Sequence, residues 1–366
     1  MHESSVYVYP TQHPGDVGGM RDLIDSGAVD PSAIQGVMIT HEGDLVANHF
    51  ALLEVANLLS EQTGVPRATI ADTVPIQAMA GACGFMVPHT AVFVRRTVDD
   101  SATGEKRFAV AGACTRRFEP HEVGSLGYVR DISEVVGRLM KEADIESPAD
   151  VHLVFVKAGW PNPHLYKTEE TRKDLLTNDW WEAGALARGG AALGVALALG
   201  EIHEDELTED RILRDSNILY STVAQCSSTE DRITAAVMLF GNSRNSTSNL
   251  AIGHGVLEDG LDKEGVKGIL RTMGFQFEVS PTPKDLERIR YAWLKPKTAE
   301  APALRGHRHT LMTHPALGAI WWMVEKAPVH SMVASVLGTT VVEVATGSEH
   351  QGPPGKPLLA VLASSS

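Results

Sequence analysis

Cysteine is scarce: Cys83, Cys114 and Cys226 are the only three in 366 residues. Three scattered thiols build neither a disulfide framework nor a zinc site, so a reduced, cytoplasmic protein is the expectation. Positive charge is also short. Lys plus Arg number 32 against 46 Asp plus Glu, a net charge of −14. That balance argues against a nucleic-acid surface, which needs a basic stripe to displace counterions. It equally disfavours docking on an anionic membrane. No apolar run is both long and clean enough to span a bilayer. The most apolar stretch, Ala183–Gly200, carries Arg188 and five glycines and reads as a buried helix. A basic region followed by an apolar one is missing at the N-terminus, so no signal peptide is expected. Walker-type and dinucleotide glycine patterns are missing too, which leaves nucleotide binding without support.

What remains is an ordinary globular composition, 43% apolar and 21% charged, with length for two or three domains. Polar breaks fall at Thr97–Arg107 and in GNSRNSTSN after Phe240, and Pro-containing loops at Ser280–Pro283 and Lys295–Pro302. Apolar runs at Gly36–Ile39, Thr90–Val94, Phe108–Ala113, Val151–Val156, Ala235–Phe240 and Val341–Val344 predict strands. Helical spacing predicts helices over Asn48–Gln62, Ile132–Ala143, Ala183–Leu199, Lys263–Met273 and Ala316–Val336, the last kinked or split at Pro328. Strands and helices mix throughout, so the class is α/β or α+β. No internal repeat is visible in the sequence.

Four segments carry chemistry. VHLVFVKAGWP (Val151–Pro161) is a buried-looking strand bearing Lys157. Burial disfavours the ammonium and makes such a lysine a candidate base, although a snorkelling lysine at a strand end is commoner. Arg188 opens an almost wholly apolar, Gly/Ala-rich helix. Its guanidinium there needs a planar acceptor, either a carboxylate in a structural ion pair or a ligand carbonyl. STVAQCSSTED (Ser221–Asp231) places small hydroxyls beside a strand, either presented to a ligand or forming a helix cap or turn. VVEVATGSEHQGPPGKP (Val341–Pro357) reads as a strand followed by a tight loop, able to bind a cation through carbonyls or simply to turn.

The segments PGDVGGMRDLID, VHLVFVKAGWP, ARGGAALGVALALGE, MLFGNS, LRGHRHTLM and GSEHQGPPG occur in this order. Together they resemble the cyanuric acid amidohydrolase and barbiturase family, the ring-opening amidohydrolases, from about Pro14 to Leu362. The resemblance implies three structurally similar sheet-plus-helix domains around a pseudo-threefold central site. Their expected bounds are 1–103, 104–250 and 251–366. Each domain of the family gives a Lys, an Arg and a Ser to a flat ring bearing carbonyls. Carried over, the second-domain set is Lys157, Arg188 and Ser227, with Ser228 an adjacent alternative. The first-domain positions fall on Thr40, Leu52 and Met79; the third-domain ones on Lys295, Lys326 and Ala345. One full set and part of another are kept.

The resemblance therefore implies a Ser227–Lys157 nucleophile and base, with N–H groups around Ser227 and Ser228 holding the oxyanion. Nearby Arg188, Lys295 and Lys326 are expected to help keep Lys157 neutral. Arg188, Ser228, Lys295, Lys326, Met79, Gly81, Ala345, Thr346 and His41 are the expected substrate-side residues. Met79 and Leu52 are expected to form an apolar wall, which makes symmetric cyanuric acid a poor substrate. Cys226 is a rival nucleophile, read as packed and inert. The family's structural divalent cation near the Gly/Pro loop takes a glutamate where this chain has Lys297. The expectation is no metal and no cofactor, with the ammonium on the loop carbonyls around Glu349–Gly352. The family also implies a homotetramer, with Trp180–Trp181 and Trp321–Trp322 as interface anchors or core. Three functions stay open: an amide hydrolase on a small non-symmetric substrate, a catalytically silent binding relative, and an acyl-transfer or ring-closing enzyme.

Overall fold

The computed structural model describes residues 1–99, 104–161, 175–230, 232–301, 303–311 and 324–365. The strand runs give three four-stranded sheets. The first holds β1 (His2–Pro10), β2 (Ile34–Thr40), β3 (Ile76–Met79) and β4 (His89–Thr97), with helices α1 (Gly18–Asp25), α2 (Leu45–Thr63) and α3 (Arg67–Thr73). The second holds β5 (Arg107–Cys114), β6 (Val151–Gly159), β7 (Ala224–Thr229) and β8 (Ala235–Ser243), with α4 (Leu126–Glu142) and α5 (Trp180–Ala198). The third holds β9 (Leu250–Val256), β10 (Ile289–Lys295), β11 (Glu343–Val344) and β12 (Leu358–Ser364), with α6 (Lys263–Thr272), α7 (Pro283–Leu286) and α8 (Lys326–Leu337). Leu250, the last residue of the expected second domain, opens β9 of the third sheet.

All three sheets share one order. The first strand pairs the fourth, the fourth the second, and the second the third; only the last pairing is parallel. The repeat that sequence hides is therefore plain in topology: three structurally similar sheet-plus-helix units around a common centre. Strand β6 shows why its sequence is apolar throughout. One face packs on helices α4 and α5 through Val154 and Val156, the other on a shared core through Leu153 and Phe155. A sheet covered on both faces needs no polar alternation. The shared core draws on all three sheets. Phe93, Phe240 and Trp293 meet there with ring centroids 4.9 to 5.8 Å apart.

The Gly/Ala composition of α5 has a packing cause. A Cβ on Gly194 would lie 2.6 Å from the Ile132 Cβ of α4, so glycine lets the two helices close. Asp179 caps the start of α5 by accepting from the Glu182 N–H. Within Ser221–Asp231, Ser221 Oγ accepts from the Val223 and Ala224 N–H groups in a turn, and Ala224–Thr229 forms β7, an edge strand paired to β6, with Ala224 and Cys226 turned into the helix-side core. Of the helix expected over Ala316–Val336, residues 316–323 lie outside the described residues; Lys326–Leu337 forms α8, with Pro328 in its first turn, where no helical N–H is lost. Trp321 and Trp322 lie outside the described residues. No helix among the described residues is long and apolar enough to cross a membrane.

Candidate active site

The parallel strand pairs end on one side of the molecule and enclose a cavity of about 330 Å³. Register fixes the equivalent positions. Thr40 lies opposite Met79, and Lys157 opposite Ser227. Leu294 pairs with Val344, so Lys295 and Ala345 follow as the third such pair. The first sheet contributes Gly43, Asp44, Asn48, Met79, Ala80 and Gly81 to the wall. The second contributes Lys157, Trp160, Trp180, Trp181, Gly184, Arg188, Ser227 and Ser228. From the third come Glu300, Glu325, Lys326 and the run Val344–Glu349.

Lys157 is 2% exposed, and its Nζ lies 3.1 Å from Ser227 Oγ. Ser228 is engaged differently: its Oγ accepts from Arg188 Nη1 at 2.7 Å. The two serines that sequence could not separate thus have different partners. Arg188 also forks onto Glu349, with contacts of 2.9 and 2.6 Å. Burial would raise the Glu349 carboxyl, but Arg188 outweighs it and holds the group below the usual carboxylate range. The planar acceptor for Arg188 is therefore a carboxylate. Gly347, at φ 76°, makes room for this fork: a Cβ there would stand 2.3 Å from Arg188 Nε. Cys226 is fully buried, away from the cavity wall, and burial pushes its thiol up to about 12. Such a thiol supplies no thiolate at neutral pH.

Nine of the eleven expected site residues line the cavity: Ser227, Lys157, Arg188, Ser228, Lys326, Met79, Gly81, Ala345 and Thr346. Two do not. Lys295 is fully buried behind the wall, donating to the carbonyls of Cys226, Thr346 and Gly347 at 2.6, 3.3 and 2.9 Å. Burial brings its ammonium down to about 7. It braces the β7 end and the third-sheet loop and stands outside the cavity wall. His41 is also fully buried and outside the wall, because its ring is spent between Asn48 and the Gly43 N–H. Leu52 belongs to the core under the first sheet and forms no part of the wall. Asn48, one turn earlier on α2, reaches the cavity instead. Lys326 lines the cavity and donates to the carbonyls of Ala80 and Gly81 at 3.1 and 3.3 Å. Burial lowers it from the ordinary lysine value, against the pull of Glu343.

Sequence reasoning missed the carboxyls. Glu349 was legible only as part of a loop. Glu325 is 2% exposed, accepts from the Ala299 N–H at 2.8 Å, and is raised by burial to about 7. Glu343 is fully buried, accepts from the Thr40 hydroxyl, and is likewise raised by burial to about 7. A signal for Glu343 existed. Gln77 stands two residues before Met79, Gln225 two before Ser227, and Glu343 two before Ala345. Gln77 donates across to the carbonyls of Phe155 and Ala236 in the second sheet, and Gln225 to that of Trp293 in the third. Glu343 reaches Thr40 in the first sheet and closes the ring. Trp180 and Trp181, expected as interface or core, stand on the cavity wall, with Trp160 5.2 Å from Trp180.

The loop after β11 has its own cation. Lys297 Nζ, fully buried, donates to the carbonyls of Ser348 and Gly352, each at 3.0 Å, and lies 3.3 Å from Glu300. Burial lowers this ammonium and raises the Glu300 carboxyl, each against the other's charge. An ammonium already seated on the carbonyls would repel a divalent ion, so this donor set does not fit the metal that the resemblance implies.

Residues 5–364 match the family model described as amidohydrolase ring-opening protein. The chain belongs to the ring-opening amidohydrolases. Among relatives, a cyclic amide hydrolase of a Rhodococcus species is 35% identical over 354 residues, 96% of this chain and 99% of its own. A cyanuric acid amidohydrolase of Enterobacter cloacae is 32% identical over 369 residues, 99% of each chain. A solved cyanuric acid hydrolase, described as an innovation by structural concatenation, superposes with a TM-score of 0.91 at 30% identity, covering both chains fully. The cyanuric acid hydrolase of A. caulinodans gives 0.88 at the same identity and coverage. Three concatenated units around one cavity are thus the arrangement of this ring-opening amidohydrolase as well.

Proposed function

We propose that the protein hydrolyses a C–N bond of a cyclic amide or imide, with Ser227 as nucleophile and Lys157 as its base, and that cyanuric acid is not the substrate. The observation that carries this reading is the 3.1 Å contact between Lys157 Nζ and Ser227 Oγ inside the cavity. A neutral Lys157 takes the Ser227 proton as Oγ attacks the ring carbonyl. Collapse of the tetrahedral adduct breaks the C–N bond, and Lys157 returns the proton to the departing ring nitrogen. Water, losing its proton to Lys157, then attacks the acyl carbon, and Lys157 passes that proton to the departing Ser227 Oγ, which restores both groups. Arg188, tied to Glu349, fixes Ser228 beside the nucleophile. Lys326, Gly81 and Thr346 form the substrate side opposite, and Met79 with Ala345 gives it an apolar flank.

The exclusion of cyanuric acid follows from broken symmetry. Where Lys157 faces Ser227, the first sheet has Thr40 facing Met79, and the third has Lys295 followed by Ala345. Three equal carbonyls would meet three unequal walls. We also infer that Lys297 takes the place of a loop cation, and that the protein works in the cytoplasm, since none of its three cysteines is in a disulfide. Wild type and Ser227→Ala are compared on cyclic ureides, imides, lactams and cyanuric acid, with ring opening followed by ultraviolet absorbance and mass spectrometry. The expected result is turnover of a non-symmetric ring by wild type and a loss of about 10³-fold or more in the variant. Equal turnover by the variant, or a preference for cyanuric acid, overturns the reading.

A further inference from the structure

We propose that Asn48 is the donor that reads a second carbonyl of the substrate, so that the cavity selects rings with two carbonyls over rings with one. The proposal rests on the hydrolase reading and assigns a residue outside the family's Lys, Arg and Ser positions. Asn48 is fully buried from bulk solvent, yet it stands in the wall of the same cavity as Ser227. Its orientation is dictated by a relay. The Gly43 N–H lies 3.1 Å from His41 Nδ1, which must therefore accept. A neutral imidazole with an accepting Nδ1 carries its proton on Nε2. Burial lowers the His41 pKa and so favours that neutral ring. His41 Nε2 lies 2.9 Å from Asn48 Oδ1, so the oxygen of the amide is the atom turned toward histidine. The amide nitrogen is left over. Asn48 Nδ2 is buried and has no hydrogen-bond partner among the described residues.

A buried donor without an acceptor costs about 1–3 kcal/mol, which a ligand atom can recover. That atom must be an acceptor, because a side-chain NH₂ has no lone pair to offer a ring N–H. The neighbouring wall leaves little competition for it. Met79 is apolar, and the carbonyls of Ala80 and Gly81 already accept from Lys326. The Asp44 carboxylate is turned to the Val46 and Ala47 N–H groups at the start of α2. The substrate thus presents one carbonyl to Ser227 and a second to Asn48, as imides and ureides do and simple lactams do not. Sites built around a polar partner reject analogues lacking it more strongly than apolar pockets reject a misfit.

The test uses glutarimide and 2-piperidone, six-membered rings that differ by one carbonyl. Wild type and Asn48→Leu are compared by kcat/KM on both. The expected result is a ten- to hundredfold loss on glutarimide and less than about a threefold change on 2-piperidone. Equal losses on both rings, or none on either, overturn the proposal. Asn48→Ala serves the same comparison if the leucine variant does not fold. Wild-type protein with selectively ¹⁵N-labelled asparagine supplies a reading free of mutation: the Asn48 amide signal should move with glutarimide and stay with 2-piperidone. If wild type opens neither ring, the hydrolase reading fails for these rings, and calorimetric binding decides Asn48 separately. Glutarimide binding at least tenfold tighter than 2-piperidone, with the gap closed in Asn48→Leu, supports the donor. Equal or undetectable binding of the two rings overturns it.

Discussion

Glu343→Gln should change how stability depends on pH more than it changes the fold. Glu343 is fully buried under the cavity, its carboxyl on the Thr40 hydroxyl and its Oε1 without a partner among the described residues. Burial raises it from 4.5 to about 7, against the pull of Thr40, Lys326, Lys157 and Lys295. The sign follows from proton counting. Between pH 4.5 and 7 the native state holds a proton that the unfolded chain has lost, so unfolding releases it and stability falls as pH rises. The contribution is complete below pH 4.5 and gone above 7. A span of about 2.5 pH units at about 1.4 kcal/mol each gives about 3.5 kcal/mol over the whole titration. Glutamine removes the titration and supplies the amide that the equivalent Gln77 and Gln225 already use across the other two sheet junctions. Urea unfolding of both proteins at pH 5, 6, 7 and 8 reads the effect. Stability of the wild type relative to Glu343→Gln should drop by about 2.5 kcal/mol across that range, because pH 5 already lies inside the titration. Parallel curves would refute the argument, since they would mean that Glu343 ionises equally in the folded and unfolded chains.

Two further perturbations test the supports of the site. Glu349→Ala leaves the part-buried Arg188 without its carboxylate and should destabilise the protein by about 3 kcal/mol in urea unfolding. The double variant Arg188→Met with Glu349→Leu should recover most of that loss, and a double variant no better than the single would sink the ion-pair account. EDTA and calcium should leave the wild-type Tm unchanged, because Lys297 holds the Ser348 and Gly352 carbonyls. Lys297→Glu should make Tm rise with calcium, and a calcium-dependent Tm in the wild type would show that the ammonium does not exclude the ion.

Much of the fold was legible because burial on both faces writes itself into composition. Strands β2, β4, β5, β6 and β8 are apolar runs for that reason, and α5 announces itself by the small residues its contact with α4 requires. Strand β7 was not legible, because Ser227 and Ser228 at its end serve the cavity while only Ala224 and Cys226 serve the core. A run of three hydroxyl residues looks the same whether it caps a helix or edges a sheet, and only pairing to β6 distinguishes them. The threefold order was hidden for a related reason. Topology is set by which strand pairs which, and the residues at 40, 79 and 345 do not repeat Lys157 and Ser227 although the strands there pair in the same way.

The site divides along the same line. Positions on a strand follow from counting, so Lys157 and Ser227 came together as register demands. What a side chain meets across a junction between sheets does not follow from counting. Lys295 has a family position and a lysine's reach, yet its ammonium is consumed by three carbonyls before it arrives at the cavity. Asn48 stands on the wall one turn before Leu52 on the same helix, near the Gly43–Asp44 end that also lines the cavity, while Leu52 packs in the core under the first sheet. The place of Thr40, opposite Met79, also becomes intelligible at this level. Its hydroxyl donates to the Glu343 carboxyl, which is raised to about 7 and so carries only part of a charge beside Lys157 and Lys326 at neutral pH. The packing around Thr40 makes it part of a buried junction between the first and third sheets, in which its hydroxyl donates to a carboxyl that is half ionised near neutral pH.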